Sequence, residues 1–262
     1  MGEKGGAVAF FDVDGTLVWH DMEKARTSGA DAVFSRPRPT DGVYGAFRRM
    51  RAAGHRTFIC TGRHVPFIPD TLLDLDPDGV IAGAGAYVRV GDEVVRNAVV
   101  ENDLLMEVAR RFVEAGVSVT FEGVECNLEL RPDGAPASFA SSELAHDLAG
   151  VERAIGRHSF CKFCVSDVSL DDIAPVREFC ERYFTVCDLQ YSTYEFSLIG
   201  VDKGTAIDVA LERLDHLSMA DHVETFVAMG NALPGVKARA DYVTDSAADD
   251  GVVTGLEHFG LI

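Results

Sequence analysis

Short apolar runs alternate with amphipathic segments in the first part of the chain. Residues 7–11 are all apolar, and a continuous run of this length is typical of a strand buried on both faces. Further strands are predicted over 56–60 and 80–82. Thr40 can cap a helix over 41–53, whose apolar residues fall on one face. Strands alternating with helices predict an α/β fold with a doubly wound parallel sheet.

Beyond residue 86 the pattern changes to strands in pairs. A hairpin is predicted first, at 87–96, and the later strand pairs are separated by amphipathic helices. This order predicts an α+β unit on an antiparallel sheet, with a size of about one hundred residues that is typical of a domain. We therefore expect a core domain from residues 1–86 and 198–262 and an inserted domain from 87–197.

Two aspartates follow the first predicted strand. Asp12 and Asp14 are two residues apart, so their side chains point to the same side at the C-terminal end of the strand. Ligands of open α/β sheets bind at that end. Neighbouring carboxylates repel each other unless a cation lies between them, which predicts a divalent metal, and Mg²⁺ is the one expected. The sequence Asp-Val-Asp-Gly alone would be an acidic turn, and the buried strand ahead of it favours a site.

Two further segments carry groups that suit a phosphate. The hydroxyl and N–H of Thr61, beside Gly62 at the end of the second strand, can bind a phosphate oxygen. Arg63 either assists the phosphate or holds the core structurally, and both alternatives stay open. Lys203 begins a predicted helix, where the helix dipole disfavours a cation, so its position indicates a functional role. His20 is interpreted as an exposed loop histidine.

Composition limits the classes of partner. The chain has 262 residues, and 24 Lys and Arg against 42 Asp and Glu give a net charge of −18. Such a surface repels nucleic acid and anionic membrane, and a phosphate site on it needs local cations. No apolar run approaches the length of a membrane span, and no signal peptide is recognised, so we expect a soluble cytoplasmic protein. The six cysteines are then expected to be reduced, and the Cys161–Cys164 pair near His158 is interpreted as strand residues rather than a zinc or redox site.

Three of these segments together carry a resemblance. The run from Phe10 to Thr16, Phe-Phe-Asp-Val-Asp-Gly-Thr, resembles the first motif of the haloacid dehalogenase superfamily of phosphotransferases. Thr-Gly-Arg resembles the second motif in the form typical of the Cof-like subfamily of sugar-phosphate phosphatases, and Lys203 resembles the third. The resemblance implies that Asp12 is a nucleophile that forms an aspartyl-phosphate and that Asp14 is a general acid and base. It also implies that Thr61 and Lys203 bind the phosphoryl group, and that the inserted domain is the large cap of this subfamily.

The fourth motif departs from the family pattern. Members carry Gly-Asp and a second Asp four residues later, whereas this chain has Gly230-Asn231 and then Gly235. The surrounding residues resemble a later stretch of the family, so a segment of about one loop and one helix is missing. Similarly, Ala84 stands where the subfamily usually has Asn. The resemblance then implies a metal site formed by the Asp12 carboxylate, the Asp14 backbone carbonyl and the amide oxygen of Asn231.

Two functions follow from these residues. The first is Mg²⁺-dependent hydrolysis of a small phosphate monoester, with a small phosphorylated metabolite as the partner and sugar phosphates as the expected class. The alternative is a catalytically weak or inactive relative that binds a phosphorylated metabolite or a protein, and it rests on the loss of both fourth-motif aspartates. The sequence indicates no oligomeric state.

Overall fold

The computed structural model of the chain describes residues 6–20, 38–139, 141–189, 192–214 and 223–262, which form thirteen strands and eight α-helices. The strands are β1 (Val8–Phe11), β2 (Arg56–Cys60), β3 (Gly79–Ala82), β4 (Tyr87–Val90), β5 (Glu93–Asn97), β6 (Val119–Gly123), β7 (Asn127–Leu130), β8 (Glu143–Ala145), β9 (Phe160–Ser166), β10 (Phe184–Asp188), β11 (Thr193–Leu198), β12 (Val227–Ala228) and β13 (Tyr242–Val243). The helices are α1 (Asp41–Ala52), α2 (Asp70–Leu73), α3 (Asn102–Ala115), α4 (Leu148–Ile155), α5 (Ala174–Cys180), α6 (Lys203–Arg213), α7 (Pro234–Lys237) and α8 (Gly251–His258). None of the helices in these ranges is long and apolar enough to cross a membrane.

The first sheet has the strand order β1-β2-β3-β4-β5. β1, β2 and β3 are parallel, whereas β4 and β5 continue the sheet in antiparallel pairs. The three parallel strands lie where the apolar runs predicted them. α1 also begins as predicted, since the Thr40 hydroxyl accepts a hydrogen bond from the Val43 N–H and so caps the helix. The predicted α/β fold class is therefore confirmed.

Helices cover both faces of the first sheet. Apolar side chains of α1 and α8 pack on one face, in a cluster that includes Phe11, Phe47, Met50, Ile59, Val80, Val252 and Leu256. Side chains of α6 pack on the other face, with Phe58, Cys60, Ile81, Val88, Ala206 and Ala210. Full burial of one large apolar side chain contributes about 1.5–3 kcal/mol. Because successive residues of β2 point to opposite faces, an uninterrupted apolar run is what this position in the sheet requires.

The second sheet contains six strands in the order β10-β11-β9-β6-β7-β8. All its pairs are antiparallel except β7 with β8. Side chains of α3, α4 and α5 cover one face, where an aromatic cluster packs: Phe112, Phe121, Phe163, Phe184 and Phe196. The opposite face carries buried charged side chains: Glu122, Lys162 and Glu195. This α+β arrangement on a mainly antiparallel sheet is the one expected for the inserted segment.

The hairpin formed by β4 and β5 belongs to the first sheet. We expected it in the inserted domain of residues 87–197, but β4 pairs with β3, from Tyr87 opposite Ala82 to Val90 opposite Gly79. The physical reason is local, because the tight turn after β3 returns the chain directly onto the edge of that strand. The first sheet thus continues to residue 97, and the division into a core and an inserted domain stays a prediction.

The strands after α6 form a separate two-stranded sheet. β12 and β13 are parallel and pair only with each other in the described ranges, where β1 in turn pairs only with β2. Residues of this segment still pack against the first sheet, since Met229 and Ala247 belong to the same apolar cluster as Phe11. β12 is thus short, and it lies beside the first sheet rather than within its ladder.

The turn between β3 and β4 has an unusual backbone. Gly83, Ala84 and Gly85 have φ angles of +57°, +55° and +107°, which lie in the left-handed region. Ala84 occupies the position where Asn is expected, and an L-residue other than Gly, Asn or Asp adopts this conformation at a cost of about 1–2 kcal/mol. A Cβ atom on Gly85 would lie 2.1 Å from the carbonyl oxygen of Asp202. The end of β3 therefore lies directly against the start of α6.

Substitution of Gly85 tests this close approach. We expect Gly85→Ala to lower the free energy of unfolding by at least about 2 kcal/mol, because it adds a backbone clash to a left-handed φ. Gly45→Ala is the matched control, since a Cβ at this α1 position meets nothing within 4 Å, and it should stabilise by about 0.5–1 kcal/mol. Urea unfolding measures both changes. Equal effects of the two substitutions would contradict the proposed contact.

Candidate active site

The C-terminal ends of β1 and β2 bring the predicted site residues together. Phe11 pairs with Ile59, so Asp12 follows β1 beside Cys60, and Thr61 comes one residue later. Lys203, 191 residues further along the chain than Asp12, donates a hydrogen bond from Nζ to Asp12 Oδ1 at 2.7 Å. Burial by itself would lower the pKa of Lys203, but the Asp12 carboxylate raises it above its ordinary value. The ammonium group therefore remains charged beside the predicted nucleophile.

The first turn of α6 holds Lys203 in position. Asp202 caps the helix, with its carboxylate accepting a hydrogen bond from the Thr205 N–H at 2.8 Å. The Thr205 hydroxyl accepts one in return from the Asp202 N–H at 3.2 Å, which completes a capping box. A carboxylate at this end also offsets the unfavourable interaction between the helix dipole and a cation. The local sequence thus stabilises a lysine at a position where helices otherwise disfavour one.

Asp14 is held by two basic side chains. The Arg63 guanidinium donates from Nε to Oδ2 at 2.9 Å and from Nη2 to Oδ1 at 2.7 Å, which is a bidentate pair. His20 Nε2 donates to Oδ1 at 2.6 Å. Burial acts to raise the pKa of Asp14, but the hydrogen bonds and charges of His20 and Arg63 outweigh it and hold the pKa well below its usual range. In this arrangement Asp14 is ionised and accepts hydrogen bonds only.

His20 was not identified from the sequence as a site residue. The prediction of an exposed loop histidine is wrong, because only 8% of its side chain is exposed and its ring contacts Asp14. A histidine six residues after the second aspartate was the available signal. Its proximity in sequence did not show that the loop turns back onto the end of β1.

The turn after β3 supports the loop that contains Thr61 and Arg63. The Ala84 N–H donates to the Thr61 carbonyl at 3.1 Å, and the Gly83 N–H donates to the Arg63 carbonyl at 2.8 Å. The Thr61 hydroxyl accepts from the Arg63 N–H at 3.1 Å, and Thr61 is fully buried. The left-handed turn therefore places two of its N–H groups on the candidate phosphate loop. This contact explains why the strained backbone is retained there.

Asn231 has two hydrogen bonds within the protein. Its Nδ2 donates to the Gly15 carbonyl at 2.9 Å, and its Oδ1 accepts from the Ala247 N–H at 2.8 Å. Asn231 thereby links the loop after β12 to the turn that follows Asp14. One lone pair of the amide oxygen remains for a metal, so its role as a ligand stays a prediction. Together with Asp12 and the Asp14 carbonyl it forms an all-oxygen donor set, which fits Mg²⁺ in type.

The polar face of the second sheet approaches the candidate phosphate loop. Lys162 Nζ donates to Glu122 Oε2 at 2.7 Å and also to Glu195. His64, directly after the loop, donates from Nδ1 to Glu122 Oε2 at 3.2 Å. Glu195 Oε2 lies 4.0 Å from the position of a Cβ on Gly62. These contacts join the inserted segment to the first sheet at the candidate site.

Burial makes this charged network costly. Burial alone would raise the pKa of Glu122 and lower that of Lys162, but their mutual attraction shifts both in the opposite directions, with Glu195 and His64 contributing. Sequence reasoning missed all four residues. The signal was a charged side chain among the apolar residues of three strands, as Lys162 between Cys161 and Phe163 illustrates.

Known proteins are similar to this chain in sequence or in fold. The profile of the family described as haloacid dehalogenase-like hydrolase matches residues 9–256. The "Putative phosphatase YkrA" of Bacillus subtilis (strain 168) is 25% identical over 286 aligned residues, which cover 97% of each protein. Among solved structures, the HAD subclass IIB sugar phosphatase BT4131 is similar with a TM-score of 0.75 at 23% identity, over 98% of this chain and 100% of that chain. A structure of BT1666 from Bacteroides thetaiotaomicron comes from work on phosphatases of the haloalkanoate (HAD) superfamily. It has a TM-score of 0.77 at 21% identity, over 100% of this chain and 97% of that chain.

Removal of the buried ammonium group tests the network. We expect Lys162→Met to lower the free energy of unfolding at pH 7 by about 3–5 kcal/mol, because two buried carboxylates lose their counter-charge. The triple variant Glu122→Gln, Lys162→Met, Glu195→Gln is the control, and it should recover at least half of the loss. Urea unfolding measures the series.

The same variant has an expected pH dependence. The pKa of Glu122 is lowered on folding, so its ion pair stabilises the wild type above the unfolded pKa of about 4.5 and less as the pH falls below it. The variant lacks this contribution, and its carboxyls become neutral in acid. The difference in the free energy of unfolding between wild type and Lys162→Met should therefore become smaller below about pH 4.5. A small difference in the free energy of unfolding between wild type and Lys162→Met at pH 7 would contradict the stabilising role of Lys162. The same difference at pH 7 and below about pH 4.5 would contradict it as well.

Proposed function

Because the chain belongs to the haloacid dehalogenase-like hydrolases, we propose that it hydrolyses small phosphate monoesters through an aspartyl-phosphate on Asp12. The observation that carries this proposal is the hydrogen bond from Lys203 to Asp12. Asp12 follows β1 beside Cys60, the residue that precedes Thr61. A carboxylate and a fixed ammonium group at the C-terminal edge of a parallel sheet can attack a phosphoryl group and stabilise its negative charge. In a chain with a net charge of −18, this local cation is what permits a phosphate to bind.

The first half of the reaction transfers the phosphoryl group. A carboxylate oxygen of Asp12 attacks phosphorus, the bond from phosphorus to the ester oxygen breaks, and Asp14 gives a proton to the departing alkoxide. The product alcohol leaves, and the phosphoryl group remains on Asp12. Lys203, which contacts Asp12, and the Thr61 hydroxyl would offset the charge on the transferring oxygens.

The second half regenerates the enzyme. Water attacks the phosphorus of the acyl phosphate, Asp14 accepts a proton from it, and the bond between phosphorus and the Asp12 oxygen breaks. Inorganic phosphate is released and Asp12 is again a carboxylate. The proton on Asp14 passes to solvent when Arg63 pairs with Asp14 again. Because Asp14 acts first as a general acid and then as a general base, it gives up one proton and takes up another in each cycle.

Asp14 must be released from its resting partners before it can act as an acid. A bound phosphoryl dianion competes for the Arg63 guanidinium, because the same fork geometry binds phosphate and carboxylate. When Arg63 leaves, Asp14 loses a cation that lowers its pKa. Asp14 can then take up a proton from solvent, while His20 Nε2 remains its hydrogen-bond partner at 2.6 Å. Arg63 thus couples phosphate binding to the protonation of Asp14.

Magnesium is the cofactor that fits the donor set. The Asp12 carboxylate, the Asp14 backbone carbonyl and the Asn231 amide oxygen would hold it, all of them hard oxygen ligands. When bound, it would neutralise negative charge on the phosphoryl oxygens. Asn231 brings no charge, so we expect weaker binding than in relatives with a carboxylate there.

We propose that the substrates are sugar phosphates. YkrA is named as a phosphatase and BT4131 as a sugar phosphatase, and both match nearly the whole chain. The polar face formed by Glu122, Lys162 and Glu195 offers acceptors and donors for the hydroxyl groups of a leaving sugar. Residues 87–197 would then act as the cap that selects the substrate. The alternative, a relative that binds the ester without turnover, is tested by the same assays.

Substitution of the nucleophile tests the reaction. Asp12→Asn should lower kcat at least about a thousand-fold toward p-nitrophenyl phosphate and sugar phosphates with Mg²⁺, since the covalent step is lost. Asp92→Asn, an equal charge change in the exposed β4–β5 turn, should leave kcat unchanged. Mass spectrometry of acid-quenched wild type should find a phosphoryl group on the peptide that contains Asp12. Activity of Asp12→Asn within tenfold of wild type would exclude this nucleophile, and absence of turnover in wild type would favour the alternative.

Substitution of Asn231 tests the metal site. Asn231→Asp should bind Mg²⁺ about tenfold more tightly than wild type, because a charged oxygen replaces a neutral one. Without Mg²⁺ the variant should have a lower Tm, since a carboxylate oxygen then faces the Gly15 carbonyl in place of the Nδ2 donor. Asn231→Ala is the control, which should lose stability that Mg²⁺ does not restore. If Mg²⁺ raises the Tm of Asn231→Asp no more than that of wild type, Asn231 is not a ligand.

A further inference from the structure

A second group of potential ligands lies at one end of the second sheet. The Cys126 thiol, the Glu143 carboxylate and the His158 imidazole each have a ligand atom, and these atoms all lie within 4.8 Å of one another. Cys126 immediately precedes β7, Glu143 begins β8, and His158 precedes β9 by two residues. None of these residues belongs to the candidate active site. The sheet order brings them together from three separate segments of the chain.

The contacts of His158 are those of a metal-binding histidine with its supporting group in place. Its Nδ1 lies 2.8 Å from Glu125 Oε2, and its Nε2 lies 3.0 Å from Glu143 Oε1. Carboxylate oxygens accept hydrogen bonds, so the imidazole satisfies both contacts only with a hydrogen on each nitrogen. A metal ion on Nε2 would replace one of these hydrogens, while Nδ1–H remains bonded to Glu125. This carboxylate–histidine–metal arrangement is common at zinc sites.

The carboxylate of Glu143 is supported in the same way. Its Oε2 accepts a hydrogen bond from Arg157 Nη2 at 2.6 Å, which leaves Oε1 directed toward His158. The side chains of His158 and Glu143 are 23% and 32% exposed, so an ion can enter from solvent. Cys126 is partly buried beside them, and a thiol forms no part of an ordinary surface ion-pair network. An ion pair accounts for His158 and Glu143. Cys126 packs against the apolar cluster of the second sheet and adds a sulfur donor beside them.

We propose that Cys126, Glu143 and His158 bind a zinc ion. One sulfur, one nitrogen and one oxygen ligand suit Zn²⁺, whereas Mg²⁺ prefers oxygen ligands throughout. A water molecule would complete a tetrahedral site. On binding, the Cys126 thiol and His158 Nε2 each lose their proton to solvent. The ion would tie together the β6–β7 turn and the starts of β8 and β9, and so would stabilise the second sheet.

Titration of the full-length chain with Zn²⁺, after removal of metals by a chelator, tests this site. Calorimetry in the presence of excess Mg²⁺ should find one Zn²⁺ equivalent that is lost in Cys126→Ser and in His158→Gln. Glu125→Gln should keep this equivalent but weaken it about 10–100-fold, because it removes only the negative charge of the supporting acceptor. Cys187→Ser and His258→Gln are matched controls, an exposed thiol on β10 and a histidine at the end of α8, and they should titrate as the wild type does.

Cobalt gives a readout that does not depend on folding of the variants. Wild type with Co²⁺ should develop the near-ultraviolet charge-transfer absorption of a thiolate bound to cobalt, and Cys187→Ser should retain it. Absence of this band in wild type overturns the proposal even if Cys126→Ser fails to fold. The proposal is equally overturned if Cys126→Ser and His158→Gln bind Zn²⁺ as the wild type does.

Discussion

The pairing of Asp12 and Asp14 with cations from distant segments is the constraint on which the candidate site depends. Two carboxylates two residues apart in a chain of net charge −18 repel each other and repel a phosphate ester. The fold compensates each with a basic group from a distant segment. Lys203 at the start of α6 pairs with Asp12, and Arg63 from the loop after β2 pairs with Asp14. The fold therefore supplies the positive charges that make these two neighbouring aspartates stable together.

The strained and closely packed turn after β3 supports the same C-terminal end of the first sheet. The left-handed turn at 83–85 donates hydrogen bonds to the loop of Thr61 and Arg63, and its Gly85 lies against Asp202 at the start of the helix that carries Lys203. One turn thereby sets the position of two groups that face the phosphate site. The cost of this backbone, about 1–2 kcal/mol at Ala84, is small compared with the loss of alignment if the turn relaxed.

A second electrostatic network joins the two sheets. Lys162 lies between Glu122 and Glu195, and His64 links Glu122 to the loop after β2. Burial of several charges contributes little to net stability, because desolvation opposes the attraction between them. The hydrogen bond between His64 and Glu122 instead ties the position of the second sheet to the loop after β2. The contacts hold the polar face of that sheet over the candidate phosphate loop.

Local pattern determined most of the secondary structure and three of the site segments. The apolar runs of β1, β2 and β3 and the cap at Thr40 are properties of neighbouring residues, which is why they could be read from the chain. The strand-end positions of Asp12 and Thr61 and the helix-start position of Lys203 follow from the same pattern and from a family resemblance. Only the tertiary structure decided that the β4–β5 hairpin joins the first sheet, that His20 returns to Asp14, and that Asn231 bonds to Gly15 and Ala247. The networks of Lys162 and of Cys126 likewise join strands that are far apart in sequence. Local periodicity specifies which face of an element is buried but carries no information on which distant element covers it, so these contacts emerge only when the sheets are assembled.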